Sequence, residues 1–179
     1  SCIAYRVSYK ENDEIVHYGI LKEYCPAFLE KDGQVVRDAD NNLIIPIEYT
    51  ETFKLGLDKF KSTYKIINDY LINNLSASNY HTVQLGYYEE NNTAYTLTSC
   101  DSGKSYEKIE DKSLHMLLKL MLSVTKAVEM YHNAGFLHLD IKPKNILVLD
   151  DVTDLVKLFD FDSLISIDGL KCGNIDQIP

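Results

Sequence analysis

The chain has 179 residues, of which 45% are hydrophobic, and its 27 acidic and 18 basic side chains give a formal net charge of −9. This composition is typical of a globular chain that can bury a core, and it argues against a wholly disordered protein. The acidic balance disfavours nucleic acid and anionic lipid as partners. No apolar run approaches the ~20 residues of a membrane helix. The four cysteines are widely separated, so we expect reduced thiols in a cytoplasmic protein.

The first half of the chain predicts strands followed by a helix. Residues 2–9, CIAYRVSY, alternate in polarity, and after NDE comes the strand-like run IVHYGILKEY (15–24), which together predict a hairpin. Residues 25–46 carry Pro26, Gly33 and Pro46 and predict a loop with at most short strands. From about Thr50 to Leu75, apolar residues recur at spacings of three and four and predict an amphipathic helix: Phe53, Leu57, Phe60, Tyr64, Ile67 and Leu71.

The second half predicts a hairpin, a long helix and a further hairpin. HTVQLGYYEE (81–90) and AYTLTSC (94–100), joined by NNT, form the first of these. A helix should begin after the N-cap Ser113 and end at Asn133 and Gly135. Its predicted apolar face consists of Leu114, Leu117, Leu118, Met121, Val124, Val128 and Tyr131. The runs ILVL (146–149) and LVKLF (155–159) then predict the last hairpin. The order indicates an α+β protein of two lobes, divided near 99–103.

The most informative stretch is HLDIKPKN (138–145), which is followed by a second aspartate, Asp160, in LFDFDS. Pro143 prevents a continuing helix and favours an extended Lys142, so Asp140, Lys142 and Asn145 should lie on a rigid loop. Phosphoryl transfer needs a carboxylate for the attacking hydroxyl, a cation for the transferring phosphate and oxygen ligands for a metal ion. Each residue alone is only a common loop residue. Their ordered spacing is what favours a phosphoryl-transfer site.

HLDIKPKNIL followed by KLFDFD resembles the catalytic loop and metal-binding motif of eukaryotic-type Ser/Thr protein kinases, H-R-D-x-K-x-x-N and D-F-G. GILKEYCP resembles the strand that carries the nucleotide-contacting lysine, here Lys22, in a form associated with bacterial members. RDADNNLIIP, FKLGLDKF and NNTAYTLTSCDSGKS resemble the stretch from that lysine to the hinge. SCIAYRV resembles the end of the glycine-rich phosphate loop, so we expect a kinase domain that is incomplete at both ends.

The resemblance implies a bilobal protein-kinase-like fold. Residues 1–100 would form the strand-rich N-terminal lobe with one long helix, and 101–179 would form the hinge and the start of the helical C-terminal lobe. It also implies an enzyme that transfers the γ-phosphate of ATP, with Mg²⁺, to a hydroxyl of a protein substrate. The implied catalytic residues are Asp140 for the substrate hydroxyl and Lys142 for the γ-phosphate. The implied metal ligands are Asn145 and Asp160, and the implied nucleotide-binding residues are Lys22, Ser99, Cys100 and Asn145.

Some positions depart from the family pattern in the catalytic region. Leu139 replaces the arginine of H-R-D, so we do not expect control by a phosphorylated activation loop that docks on that arginine. Asp162 replaces the glycine of D-F-G, and two interpretations stay open: an additional metal ligand, or a residue that fixes the segment in one state. His138 is expected to brace the backbone rather than act as a base.

Other departures concern the nucleotide. The helix after Lys22 should offer a glutamate to pair with it, but the matching position is Thr63, with Glu48 or Glu51 as substitutes from another turn. Ile20 replaces an alanine and would crowd an adenine. These features keep an alternative open: a pseudokinase, a nucleotide-binding or protein-interaction module without turnover.

Overall fold

The computed structural model describes residues 2–10, 15–31, 34–74, 79–110, 113–149 and 156–167. The chain forms two compact units, the first comprising Ser1–Asp69 and Val83–Cys100, the second Tyr70–Thr82 and Asp101–Pro179. Residues 70–82 therefore belong to the second unit although they precede the connector at 100–101. The lobe extents of 1–100 and 101–179 stay a prediction.

The first unit is built on a four-stranded antiparallel sheet. Strand β1 (Cys2–Lys10) pairs with β2 (Val16–Tyr24), and the two-residue strands β3 (Glu30–Lys31) and β4 (Gln34–Val35) follow. Helix α1 (Thr50–Asn73) comes next, and its last four residues belong to the second unit. Strands β5 (Gln84–Glu90) and β6 (Thr93–Ser99) complete a sheet in the order β1-β2-β6-β5. The two hairpins and the helix are confirmed; the turn NDE lies outside the described residues.

The core of the first unit is formed by residues of the sheet, of the loop that follows β2, and of helix α1. Its buried members are Tyr24, Cys25, Leu29, Leu43 and Phe53. The loop is held in place by the Leu43 amide, which donates to the Asn91 carbonyl at 2.9 Å in the β5–β6 turn. Burying this apolar surface stabilises the unit by roughly 25 cal/mol per Å² removed from water. The predicted loop with short strands is confirmed.

In its described residues, the second unit combines one long helix with five short strands. In chain order these are β7 (Gly103–Ser105), α2 (Leu114–Asn133), β8 (Phe136–Leu137), β9 (Ile146–Leu149), β10 (Val156–Leu158) and β11 (Ile165–Ser166). Strands β10-β9-β7 form one antiparallel sheet, and β8 pairs with β11. The predicted hairpin of β9 and β10 is confirmed, and its turn lies outside the described residues. The α+β class is confirmed.

Helix α2 has the predicted ends but not the predicted buried face. The Ser113 hydroxyl accepts a hydrogen bond from the Met116 amide at 3.2 Å, which is an N-cap contact. The residues that are buried are Leu120, Ser123, Ala127 and Tyr131. Three members of the predicted face are exposed instead: Leu114, Leu118 and Met121. The apolar arc of α2 covers more than half of its circumference, and periodicity alone does not tell which part of so wide an arc meets the rest of the unit.

Two further expectations concern cysteines and membranes. Within the described ranges, Cys2, Cys25 and Cys100 form no disulfide; Cys172 lies outside them. Among the helices of the described residues, none combines the length and apolar character needed to cross a membrane.

Candidate active site

The segment from His138 to Asn145 is a loop whose backbone is fixed at several points. Lys142 is extended, with φ −148° and ψ 161°, and Pro143 begins a one-turn 3₁₀ helix that ends at Asn145. The Asn145 amide closes this turn on the Lys142 carbonyl at 2.8 Å. Leu139 has a φ of 58°, a conformation that is strained for a side chain of its size. The predicted loop is confirmed, while its rigidity stays a prediction, and strain of this kind often accompanies functional sites.

Three predicted site residues meet at the Asp140 carboxylate. Its Oδ2 accepts a hydrogen bond from Lys142 Nζ at 2.7 Å and another from Asn145 Nδ2 at 2.9 Å. Asn145 Nδ2 also lies 2.9 Å from the Asp140 carbonyl oxygen. Asn145 is buried, with 3% of its surface exposed, so its hydrogen bonds hold the aspartate in a fixed position. Sequence neighbours within six positions thus form one polar cluster.

The charges of this cluster are mutually stabilised. The hydrogen bond from Lys142 lowers the pKa of Asp140, and the hydrogen bond to Asp140 raises the pKa of Lys142. Both groups are therefore ionised at neutral pH. The side chains keep 31% of their surface exposed at Asp140 and 48% at Lys142, so both are accessible to a substrate from solvent.

Asp160 lies next to this cluster. The Phe159 amide donates to the Asn145 carbonyl at 3.2 Å, which places the residue after it beside the loop. Asp160 interacts electrostatically with two members of this region: it adds to the effect of Asp140, whose hydrogen bond raises the pKa of Lys142, and it opposes the burial that lowers the pKa of His138. Asp160 adopts the left-handed conformation, with φ 67° and ψ 73°, which is uncommon for a residue other than glycine. A second strained residue thus marks the same site.

The oxygen atoms of Asn145 and Asp160 suit a hard divalent cation. Both hydrogen bonds described for the Asn145 side chain use its amide nitrogen, and the amide oxygen is the atom that Mg²⁺ binds. No group of three or more His, Cys, Asp or Glu side chains in the described residues has metal-ligand geometry. Mg²⁺ usually takes one or two protein ligands and completes its shell with water and substrate phosphates. The residues present therefore fit the metal.

The remaining predicted residues lie on the sheet of the first unit. Lys22 is half-buried in β2, opposite Thr96 of β6. Ser99 is the last residue of β6, where its hydroxyl accepts from the Val83 amide at 3.0 Å, and the half-buried Cys100 follows it. These residues belong to the first unit, whereas Asp140, Lys142, Asn145 and Asp160 belong to the second.

The structure also locates the residues that depart from the family pattern. Thr63 is half-buried in α1. Glu48 lies in the 3₁₀ turn that precedes this helix and Glu51 in its first turn, and both are exposed. Ile20 is half-buried in β2, opposite Thr98. The side chain of Asp162 lies outside the described part of the structure.

Sequence reasoning missed an aromatic cluster beneath the loop. Phe161 contacts His138, Tyr131 and His81 with ring centroids at 5.5, 5.7 and 6.0 Å. All four side chains are buried. Burial lowers the pKa of His138, which agrees with its predicted bracing role, and lowers that of His81 to about 4. The sequence contains no spacing that links His81 to residues 50–80 positions away.

Sequence reasoning also missed two charge pairs with buried members. Lys157 in β10 is 7% exposed and binds Asp101 Oδ1 at 2.8 Å. Glu23 in β2 is 1% exposed and accepts from Arg37 Nη2 at 2.6 Å and from the Tyr5 hydroxyl at 2.8 Å. A charged residue inside a strand that is otherwise apolar was the available signal for Lys157, because such a residue needs a partner when it is buried.

Comparison with known proteins agrees with this geometry. Residues 54–171, more than half of the chain, match the family model described as the protein kinase domain. The chain therefore belongs to the protein kinase family.

Individual relatives also carry the names of protein kinases or share the kinase fold. A Clostridium perfringens protein named "Probable serine/threonine-protein kinase" is 30% identical over 135 residues, 70% of this chain and 19% of that protein. Smooth-muscle myosin light chain kinase of Gallus gallus is 31% identical over 77 residues, 41% of this chain and 4% of that protein. The solved structure titled "PpkA-294 apo form" has a TM-score of 0.63 at 23% identity and covers 90% of this chain and 56% of its own. The chain spans less than a fifth of either curated relative, and the structural likeness shows the kinase fold.

Proposed function

We propose that the chain is part of an ATP-dependent Ser/Thr protein kinase, which transfers the γ-phosphate of ATP to a hydroxyl of a protein substrate. The observation that carries this proposal is the Asp140 carboxylate, held by Lys142 at 2.7 Å and by Asn145 at 2.9 Å and still accessible to solvent. A structural turn would need only local backbone contacts, whereas this loop presents an anion, a cation and an amide oxygen together.

Asp140 is proposed to orient the substrate hydroxyl. Its pKa is below the ordinary value, so at neutral pH it is a hydrogen-bond acceptor. The hydroxyl would donate to Asp140 and so point its oxygen lone pair at the phosphorus. Lys142, which already lies on the same carboxylate, would stabilise the negative charge of the transferring phosphate.

The proposed cofactors are ATP and Mg²⁺. Asn145 and Asp160 would hold the metal, which when bound neutralises the charge on the phosphates. Lys22 would contact the α- and β-phosphates, and Ser99 and Cys100, at the end of β6, would contact the base of the nucleotide.

The proposed partner is a protein with an accessible serine or threonine, since the relatives carry the names of protein kinases. No side chain that would select a particular sequence is identified. The wide spacing of the four cysteines fits the reduced thiols of a cytoplasmic enzyme. A bacterial type of kinase is supported by the resemblance of the strand around Lys22.

A pseudokinase is the second candidate, and Thr63 favours it. Protein kinases place a glutamate of this helix against the strand lysine, and a threonine provides no charge for that ion pair. Such a protein would bind nucleotide or a protein partner without turnover.

Phosphate transfer separates the two candidates. The protein is incubated with Mg²⁺ and ATP labelled at the γ-phosphate, together with a library of peptides that contain serine or threonine. We expect labelled peptide, and a loss of about 10²–10⁴-fold in rate for Asp140→Asn. The matched control is Asp58→Asn, an exposed aspartate of α1. Binding of Mg²⁺-ATP with no transfer by the unaltered protein would support the pseudokinase and contradict the kinase.

A further inference from the structure

The strand that carries Lys22 also carries Tyr24, two residues further on. Side chains two positions apart in a strand point to the same face, so Lys22 and Tyr24 share one face of β2. Lys22 pairs with Thr96 in β6, and Thr96 pairs with Tyr87 in β5, which extends this face across three strands. We call it the lysine face of the sheet.

Helix α1 packs on the lysine face through aromatic rings. The Tyr24 ring lies 5.2 Å from that of Phe53 and 5.7 Å from that of Phe60, centroid to centroid. One helical turn beyond Phe60, Tyr64 lies 5.3 Å from Tyr87. Tyr24 therefore attaches the strand that holds the lysine to α1.

A glycine in the middle of α1 makes this contact possible. A Cβ atom at Gly56 would collide with the Tyr24 hydroxyl and approach its ring. Glycine in a helix interior is unfavourable relative to alanine, because it loses more backbone entropy on folding. Its presence here is explained by the close approach of Tyr24, which any other residue would displace.

Thr63 lies on the same side of α1 as Gly56. Gly56, Phe60 and Thr63 are spaced by four and three residues, so they lie on one side of α1. Thr63 is the position where the family pattern has a glutamate. On the side of α1 that faces the lysine strand, Gly56 and aromatic rings therefore pack against Tyr24, whereas the family pattern has an acidic side chain on this side.

We propose that Tyr24 is a positioning residue, which fixes α1 on the lysine face by seating its ring against Gly56 and so holds Lys22 in place for a nucleotide. This inference rests on the proposed binding of ATP. The Tyr24 ring contacts Phe53 and Phe60 of α1 and lies against Gly56 between them, so the seat fixes the helix on the strand by its shape.

The test is ATP affinity, measured by calorimetry with Mg²⁺ at a temperature at which every variant is folded. Gly56→Ala should weaken ATP binding by about tenfold or more, with unchanged stoichiometry. A merely structural role would lower the fraction of competent protein, and hence the stoichiometry, and leave the Kd unchanged. Lys65→Ala, an exposed position of the same helix, is the matched control.

The same substitution in a Tyr24→Leu variant tests whether the weaker ATP binding is caused by the collision with Tyr24. In Tyr24→Leu, which itself weakens binding, the added Gly56→Ala should cause no further loss, because the atom that collides is gone. If Gly56→Ala does not fold, Phe60→Leu removes ring contact without a collision and should raise the Kd by about threefold. An unchanged Kd in these variants, with ATP bound by the wild type, would overturn this inference alone. No ATP binding by the wild type would overturn the proposed function as well.

Discussion

The burial of His81 predicts a loss of stability on mild acidification. The side chain is 1% exposed, and its ring packs on Phe161 at 6.0 Å and on Tyr131 at 6.1 Å. Nδ1 lies 3.1 Å from the Thr82 carbonyl, so the neutral ring donates there. A second proton on this ring would introduce a charge among aromatic side chains, with the cation of Lys157 nearby.

The sign and size of the effect follow from the pKa. Burial lowers the pKa of His81 from 6.5 to about 4, so the unfolded chain takes up this proton at a higher pH than the folded chain. The stabilising contribution is complete above pH 6.5 and is lost as the pH falls towards 4. Linkage gives a loss of about 2 kcal/mol at pH 5 and about 3 kcal/mol at pH 4. The backbone of Thr82 and the charge of Asp101 oppose the shift but do not cancel it.

Urea unfolding of the wild type and of His81→Phe, at pH 7.0 and at pH 5.0, measures this contribution. Phenylalanine keeps an aromatic ring in the cluster and does not titrate. The wild type should lose about 2 kcal/mol more than the variant between the two pH values, because all other titrating groups are common to both. His115→Phe, an exposed position in α2, serves as control and should behave as the wild type. Equal losses in wild type and His81→Phe would refute the assignment of a buried neutral histidine.

Two further substitutions test the contacts of the site. Asn145→Ala removes both hydrogen bonds to Asp140 from a buried position. The free energy of unfolding, measured by urea titration, should therefore fall by about 1–3 kcal/mol. An unchanged value would mean that these hydrogen bonds do not stabilise the fold. Lys157→Met removes the cation that binds Asp101 and should destabilise the second unit by about 2 kcal/mol or more. The double variant Lys157→Met/Asp101→Leu should recover most of the resulting loss in Tm. Equal Tm values for the single and the double variant would contradict this.

The conformation of the loop 138–145 could be predicted from the sequence because its geometry is local. Pro143 limits the backbone of Lys142, and six positions suffice to bring Asp140 and Asn145 into contact. Helix α1 was predicted for the same reason, since one apolar stripe of ordinary width marks a single buried face.

Other features depend on partners that are distant in sequence. His81 pairs with Leu158 and contacts Phe161 edge to face, and no period in the sequence links positions so far apart. The buried face of α2 depends on which part of a wide apolar arc meets β10, so Leu114 was wrongly placed inside. Gly56 looks like an unfavourable residue in a helix until the ring of Tyr24 is seen against it.

The central claim, a Mg²⁺-dependent nucleotide site built on the Asp140 loop and Asp160, is tested most directly by calorimetry of ATP binding with and without Mg²⁺. The wild type should bind ATP tightly only with Mg²⁺. Asp160→Asn keeps the size of the side chain but removes the charge that attracts the metal, so it should abolish the Mg²⁺-dependent part of the affinity. Asp58→Asn on the exposed face of α1 should bind as the wild type does. Equal Mg²⁺-dependent binding by Asp160→Asn and the wild type would contradict the account.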